Sequence, residues 1–129
     1  MTDPVADMLT RIRNAMAVGR SSIDLPHSKA KEEVAKVLAA SGFISSIKVE
    51  KGEKYKVLHI EINDQAEATK ITSIKKLSRP GQRIYVKSNK IPKVRRGRGI
   101  VILSTSKGIL EGEKARSQGL GGELICEVF

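Results

Sequence analysis

The sequence predicts an α+β chain in two small lobes, and three observations carry that prediction. Apolar residues recur at helical spacing near the N-terminus and again after Ser28, each run bounded by cap and stop residues. From Phe43 onward, short runs punctuated by glycine and proline read as strands and turns. A polar stretch from Asn63 to Thr69 separates a half of mixed charge from a half of nearly one sign. Residues 1–65 are therefore expected to form an N-terminal α-(β)-α-β-β lobe, and residues 66–129 a C-terminal lobe that is mostly β with a short helix.

Asp3-Pro4 reads as an N-cap followed by proline at the first helical position. Val5, Leu9, Ile12 and Met16 then recur at helical spacing, with Met8 and Ala15 beside them, and Gly19 is the stop. Asp24-Leu25-Pro26 is a short extended connector. Ser28 caps a second helix with the apolar face Ala30, Val34, Val37 and Leu38, ended by Gly42 in the C′ manner. Phe43–Glu50 is a strand, Lys51-Gly52-Glu53 a turn, and Tyr55–Ile62 the partner strand, with Leu58, Ile60 and Ile62 on one face.

In the second half, the pattern from Lys70 to Leu77 fits either a strand or a short helix. Arg79-Pro80-Gly81-Gln82 carries proline and glycine at the central positions of a type II turn. Ile84-Tyr85-Val86 is a strand, broken by Ile91-Pro92. Gly99–Thr105 is the strand that delivers three consecutive hydroxyls, Ser104-Thr105-Ser106, to a polar edge ending in Lys107-Gly108. Glu113–Gln118 allows a short helix capped by Gly119, and Leu124–Phe129 closes the lobe as a strand.

The chain has 129 residues and is 40% hydrophobic, enough for a real core, so disorder is excluded. No apolar run is long enough to span a bilayer, and the acidic start Met1-Thr2-Asp3-Pro4 does not read as an export signal. The single cysteine, Cys126, has no internal partner and suits a reducing cytosol; its apolar neighbours mark it as a buried, inert thiol.

The net charge is +10, of which residues 1–65 carry +1 and residues 66–129 carry +9. Between Ala68 and Leu110 there are 12 basic residues and no acidic one. A solvated surface mixes its signs, whereas a segment of one sign points to a polyanion, nucleic acid ahead of a membrane surface.

Enzymatic readings lack their partners. Ser104-Thr105-Ser106-Lys107 matches an S-x-x-K pattern, but no Ser-Asp-Asn or Lys-Thr-Gly accompanies it. His27 and His59 belong to no triad or metal motif, and His59 reads as a half-buried structural residue. There is no P-loop, and Gly119-Leu120-Gly121-Gly122 is a lone glycine cluster. No cofactor is expected.

Within the nucleic-acid reading, basic side chains pair phosphates, while Ser, Thr and backbone N–H groups make short-range contacts. Gly108, Gly121 and Gly122 let backbone approach a sugar–phosphate surface, or simply make tight turns; the two readings are compatible. Glu123 repels phosphate and reads, on residues alone, as a solvated charge at a strand start. With only two Tyr, two Phe and no Trp, sheet-surface stacking of bases is disfavoured. The positive charge lies in the β-rich half, against a helix-turn-helix reader of DNA. Hydroxyl-rich edges with basic rims suit the wide minor groove of folded RNA. A DNA-binding or general nucleic-acid-coating protein is the alternative, and a small serine enzyme using Ser104 or Ser106 with Lys107 a more distant one.

Four blocks, Asp3–Asn14, Ser78-Arg79-Pro80-Gly81, Gly99–Gly108 and Gly119–Cys126, resemble the small-subunit ribosomal protein eight family, bacterial type, and the resemblance runs from Thr2 to Phe129. It implies a non-enzymatic, two-lobed, primary rRNA-binding protein on the central domain of 16S rRNA. Such a protein supports assembly of the subunit platform, and some members also repress their own messenger RNA. It would be a monomer among neighbouring small-subunit proteins, in the cytoplasm and off the membrane. By match, Ser104, Thr105, Ser106 and Lys107 would contact RNA with Gly121, Gly122 and Glu123 alongside, and Tyr85 and Lys29 would add contacts. The resemblance thereby reverses the residue reading of Glu123. Thr105→Val is expected to weaken RNA binding and leave the fold intact. Two departures stand out: Glu111-Gly112 replaces a common Thr-Asp cap, which predicts a looser helix start, and Arg98 adds charge before the Gly99 strand.

Overall fold

The computed structural model describes residues 3–63, 71–94 and 98–129. Among these, three α-helices and two antiparallel sheets bear out the α+β class. The chain divides into two compact units, Pro4–Ile71 and Thr72–Phe129, the second also taking Asp3. The join expected after residue 65 lies outside the described residues.

In the first unit, α1 spans Pro4–Ala17 and buries Val5, Met8, Leu9, Ile12 and Ala15, while Met16 is only half-buried. Its end is a Schellman motif: Gly19 takes φ 76°, its N–H donates to the Met16 carbonyl, and Arg20 N–H donates to the Ala15 carbonyl. The expected connector is a full strand, β1 (Ser22–Pro26), on one edge of the sheet. Helix α2 spans Lys29–Ala40, and the Ser28 hydroxyl accepts from Lys31 N–H. Gly42, at φ 83°, ends it as predicted, with Phe43 N–H donating to the Leu38 carbonyl. The buried face of α2 is Lys31, Val34, Ala35 and Leu38; Ala30 is exposed and Val37 half-buried. The stripe is rotated because Lys31 lays its apolar stem inside the packed face, a position that a polarity pattern assigns to solvent.

Strands β2 (Ser46–Lys51) and β3 (Lys56–Glu61) form the expected hairpin, and β3 lies centrally in the order β1-β3-β2. Phe43 and Ile44 are buried ahead of β2 but outside it. Leu58, Ile60 and Ile62 line the buried face, as their alternation predicts.

The second unit is built on β8 (Gly122–Val128). One edge of β8 pairs with β6 (Ile100–Thr105), which pairs in turn with β7 (Gly108–Glu111). The other edge takes β4 (Ile74–Lys76) and then β5 (Tyr85–Val86). The segment left open from Lys70 to Leu77 therefore holds a strand, at Ile74–Lys76, and no helix among its described residues. Between β4 and β5, Arg79 and Gln82 exchange backbone hydrogen bonds. Gly81 does not take the left-handed φ that a type II turn requires, so the turn is real but of another type. Buried Ser78 ties the excursion shut, its hydroxyl accepting from Ile84 N–H at 2.9 Å and donating to the Ile84 carbonyl at 3.3 Å.

A single 3₁₀ turn, Ser88–Lys90, precedes Ile91. Helix α3 (Gly112–Ser117) packs on one sheet face, where Ile91, Val94, Val101, Leu103, Ala115 and Leu124 form the core. Its start is not loose. The Glu111 carboxylate accepts from Glu113 N–H at 3.1 Å and Lys114 N–H at 3.3 Å. A carboxylate at this position also favours the positive end of the helix dipole. Gly119, at φ 69°, caps the far end.

Candidate nucleic-acid interface

The hydroxyl stretch is a hairpin, not a terminal edge. β6 turns at Ser106-Lys107 and returns as β7, with Thr105 opposite Gly108 and Ser104 opposite Ile109. Gly108 takes φ 108°, a backbone value that strains any residue with a Cβ. The Thr105 hydroxyl donates to the Gly108 carbonyl at 2.7 Å and accepts from Lys107 N–H at 3.2 Å. Such local side-chain bonds fix turn geometry. The expectation that Thr105→Val spares the fold is therefore sharpened to one of a measurable cost in stability, because this hydroxyl bonds within the turn of the hairpin. Ser104 and Ser106, in contrast, are exposed and make no side-chain hydrogen bond to a described residue.

Strand register gathers the other residues. Tyr85 lies opposite Glu123, Glu123 opposite Ser104, and Ser104 opposite Ile109. Directly opposed residues of antiparallel strands share a face, so these four form one row across β5, β8, β6 and β7. A bulge makes the row. Ile102 faces Cys126 but Leu103 faces Leu124, leaving Ile125 as the extra residue of β8. Without it Ser104 would face Leu124, and an apolar side chain would stand where Glu123 stands.

Glu123 is not a solvated charge. Its Oε2 accepts from Arg83 Nη1 at 3.0 Å, and its side chain is only 20% exposed against 47% for Arg83. Tyr85 is 69% exposed beside it. Arg83 was missed by the sequence reading, and no local signal could have found it, since the contact spans 40 positions.

Gly121 and Gly122 also acquire a definite reason. A Cβ on Gly121 would collide with the Val86 carbonyl oxygen, and one on Gly122 with the Ser104 carbonyl oxygen. The space each glycine leaves is filled by the chain's own backbone, which packs β8 tightly between β5 and β6. Lys107 is exposed at the hairpin tip, and Arg79, Lys87 and Lys90 are exposed in the same unit. Lys29 belongs to the other unit, where it is exposed at the first position of α2.

Among the described residues, no hydrogen bond joins Lys107 to Ser104 or Ser106, and all three are exposed. Cys126 is fully buried, and burial pushes its thiol up to about 12. His59 is tied on both sides, its Nε2 to Glu61 at 2.7 Å and its Nδ1 to Asp24 at 2.5 Å. Those two carboxylates, Glu61 first, raise its pKa. His59 is thus the half-buried structural residue expected. Among the described residues no helix is long and apolar enough to cross a membrane.

The family model described as Ribosomal protein S8 matches residues 3–129. The chain belongs to the ribosomal protein S8 family. The resemblance read from its motifs is borne out along nearly its full length. It is similar to proteins named small ribosomal subunit protein uS8 from three organisms. The relative from Geobacter metallireducens is 50% identical over 131 residues, covering 100% of this chain and 98% of that protein. That from Thermus aquaticus is 48% identical over 138 residues, covering 100% and 99%. That from Clostridioides difficile is 46% identical over 130 residues, covering 100% and 98%. Two S8 blocks that carried the resemblance, the hydroxyl run and the glycine-rich start of β8, are neighbours in this structure through the Ser104–Glu123 pairing.

Proposed function

We propose that the protein is a non-enzymatic structural constituent of the small ribosomal subunit that binds the central domain of 16S rRNA and supports assembly of the subunit platform. The observation that carries this reading is the row Tyr85–Glu123–Ser104 beside the exposed Ser106-Lys107 turn. It is a stiff, polar, partly aromatic edge in a unit rich in exposed cations. The exposed hydroxyls of Ser104 and Ser106 and the Tyr85 ring face RNA. Lys107 and its basic neighbours neutralise phosphates. Glu123 accepts from a base N–H or a ribose 2′-OH while holding Arg83. Thr105, Gly121 and Gly122 serve by giving that edge its shape. Lys29 supplies a further contact from the other unit. Where the messenger encoding this protein presents a matching RNA shape, the same edge binds it. The relatives' names, each a small ribosomal subunit protein, support the assembly context, with neighbouring subunit proteins as further partners and the protein itself a monomer there.

The test is titration of a central-domain rRNA fragment at several salt concentrations, with duplex DNA as competitor. Tight binding that weakens with salt and resists the DNA is expected. If six phosphates are neutralised, affinity falls roughly a thousandfold between 50 and 200 mM salt. The double variant Ser104→Ala/Ser106→Ala should bind more weakly with an unchanged salt slope. Equal affinity for duplex DNA, or a double variant that binds as wild type, overturns the reading.

A further inference from the structure

The β2–β3 hairpin tip carries an exposed feature that the proposed interface does not use. Tyr55 is 60% exposed at the end of this hairpin, in the unit that does not contain the hydroxyl turn. The tip is built firmly. Lys51 pairs with Lys56, and Gly52 N–H donates to the Tyr55 carbonyl at 3.0 Å. A Cβ on Gly52 would stand 2.5 Å from that carbonyl oxygen, so the turn requires glycine there. The ring borders a shallow depression of about 320 Å³ lined by Gly52, Glu53, Lys54, Tyr55 and Val57. Lys54 lines it; Lys51 and Lys56, an opposed pair at the strand ends, lie on the strand face opposite Val57; all three are exposed, and none forms an ion pair with a described residue. Glu53 is the one acid at the tip, since Glu50 is engaged by Lys48 at 3.4 Å.

We propose that this tip is a second RNA contact, in which an unpaired base stacks on Tyr55 and Lys51, Lys54 and Lys56 neutralise the flanking phosphates. The inference rests on the RNA-binding reading above and extends it to the other unit. The chemistry favours nucleic acid over a protein partner. Interface cores between proteins join several apolar side chains and are depleted in lysine. Here the depression's lining joins one ring to one valine, Val57, with Lys54 in the lining and Lys51 and Lys56 exposed at the adjoining strand ends. A single aromatic platform next to a basic track is the arrangement that holds single-stranded nucleic acid, because every base presents a π-face and every linkage a charge. The firm turn means that little ordering entropy opposes stacking.

The experiment uses the full-length protein and purified 16S rRNA. Ultraviolet crosslinking followed by mass spectrometry should yield a nucleotide adduct on the peptide containing Tyr55. Tyr55→Ala should lose roughly five- to hundredfold in affinity, as expected for one stacked base, while Tyr55→Phe keeps the π-face and binds close to wild type. The side chain is exposed, so thermal melts of both variants should match wild type. If Tyr55 gives no adduct and Tyr55→Ala binds as wild type, while Ser104→Ala/Ser106→Ala still weakens binding, the second contact is overturned and the main interface stands. If wild type does not bind 16S rRNA, the RNA reading itself falls. If Tyr55→Ala leaves rRNA affinity intact but impairs assembly with the other subunit proteins, the occupant is a protein and the stacking proposal is refuted.

Discussion

Thr105→Val separates shaping from contact at the hydroxyl hairpin. The change keeps the side-chain outline and deletes one hydroxyl, and with it the bonds to the Gly108 carbonyl at 2.7 Å and from Lys107 N–H at 3.2 Å. Each such bond contributes about 0.5–1.5 kcal/mol net. Thr105 is half-buried and Lys107 exposed, so water replaces part of what is lost. The expected cost is about 1–2 kcal/mol, toward the low end of the two-bond sum. For a small domain this lowers Tm by roughly 5–15 °C. Thermal unfolding followed by circular dichroism measures it, with urea titration as a second estimate. Thr105→Ser, which keeps the hydroxyl, should stay within about 0.5 kcal/mol of wild type. Ser106→Ala should also leave stability unchanged while weakening rRNA binding, because its hydroxyl makes no bond to a described residue. If Thr105→Val melts with wild type, the hydroxyl does not hold the turn and the division of labour is wrong.

Gly122→Ala should disrupt the second unit, costing about 3 kcal/mol or preventing folding, since the new methyl meets Ser104 backbone that cannot yield. Gly108→Ala meets open space and suffers only from its φ of 108°, so urea denaturation should show a smaller loss of about 1–2 kcal/mol. His59 has a raised folded pKa, so its contribution is fully present below its ordinary value near 6.5 and is lost as pH rises through the folded value. Urea titrations at pH 5.5 and 8.5 should therefore show wild type losing its advantage over His59→Gln at the higher pH; an equal advantage at both contradicts the assignment. Cys126 should resist thiol reagents at neutral pH in the folded protein and react at a rate set by opening, because it is buried with a pKa of about 12. Fast labelling without unfolding would refute that.

The parts legible in the sequence are those written locally. Pro4, Gly19, Ser28, Gly42 and Gly119 each announce a helix boundary through their own backbone or capping chemistry, and the structure places one at each. Alternation at Leu58, Ile60 and Ile62 announces a half-buried strand in the same way. What stayed hidden depends on partners. β7 was missed because Ser104-Thr105-Ser106-Lys107 reads as a polar end, and the reversal there shows only in the cross-strand pairing and the Thr105 hydroxyl bonding back to Gly108. Lys31 was left out of the apolar face of α2 because polarity patterns do not register an aliphatic stem. The row from Tyr85 to Ile109 depends on a bulge at Ile125, and an apolar residue in an apolar strand gives no sign that it is the supernumerary one. Arg83 holding Glu123 follows from that register and so was invisible with it.

That register also redistributes roles within the hydroxyl and glycine blocks. Read as a string, Ser104-Thr105-Ser106 offers three equivalent hydroxyls, and Gly121-Gly122 offers two bare backbones. In the fold, alternation across the sheet and reversal at Lys107 give each a different environment. Thr105 is turned to its own hairpin, and the faces left bare by Gly121 and Gly122 are occupied by Val86 and Ser104. Ser104, Ser106, Lys107 and Tyr85 are exposed, while Glu123 is 20% exposed and paired with Arg83. An RNA reader gains from this division. Contacts at a wide minor groove discriminate by shape, and shape is read only by donors and acceptors that do not move. Spending one hydroxyl and two glycines on rigidity lowers the ordering cost of the rest. It follows that substitutions at the shaping positions should lower rRNA affinity in proportion to lost stability, whereas substitutions at Ser104, Ser106 and Tyr85 should lower it with none. A plot of binding against unfolding free energy across the set should therefore split into two groups, and a single line through all of them would argue against separate roles.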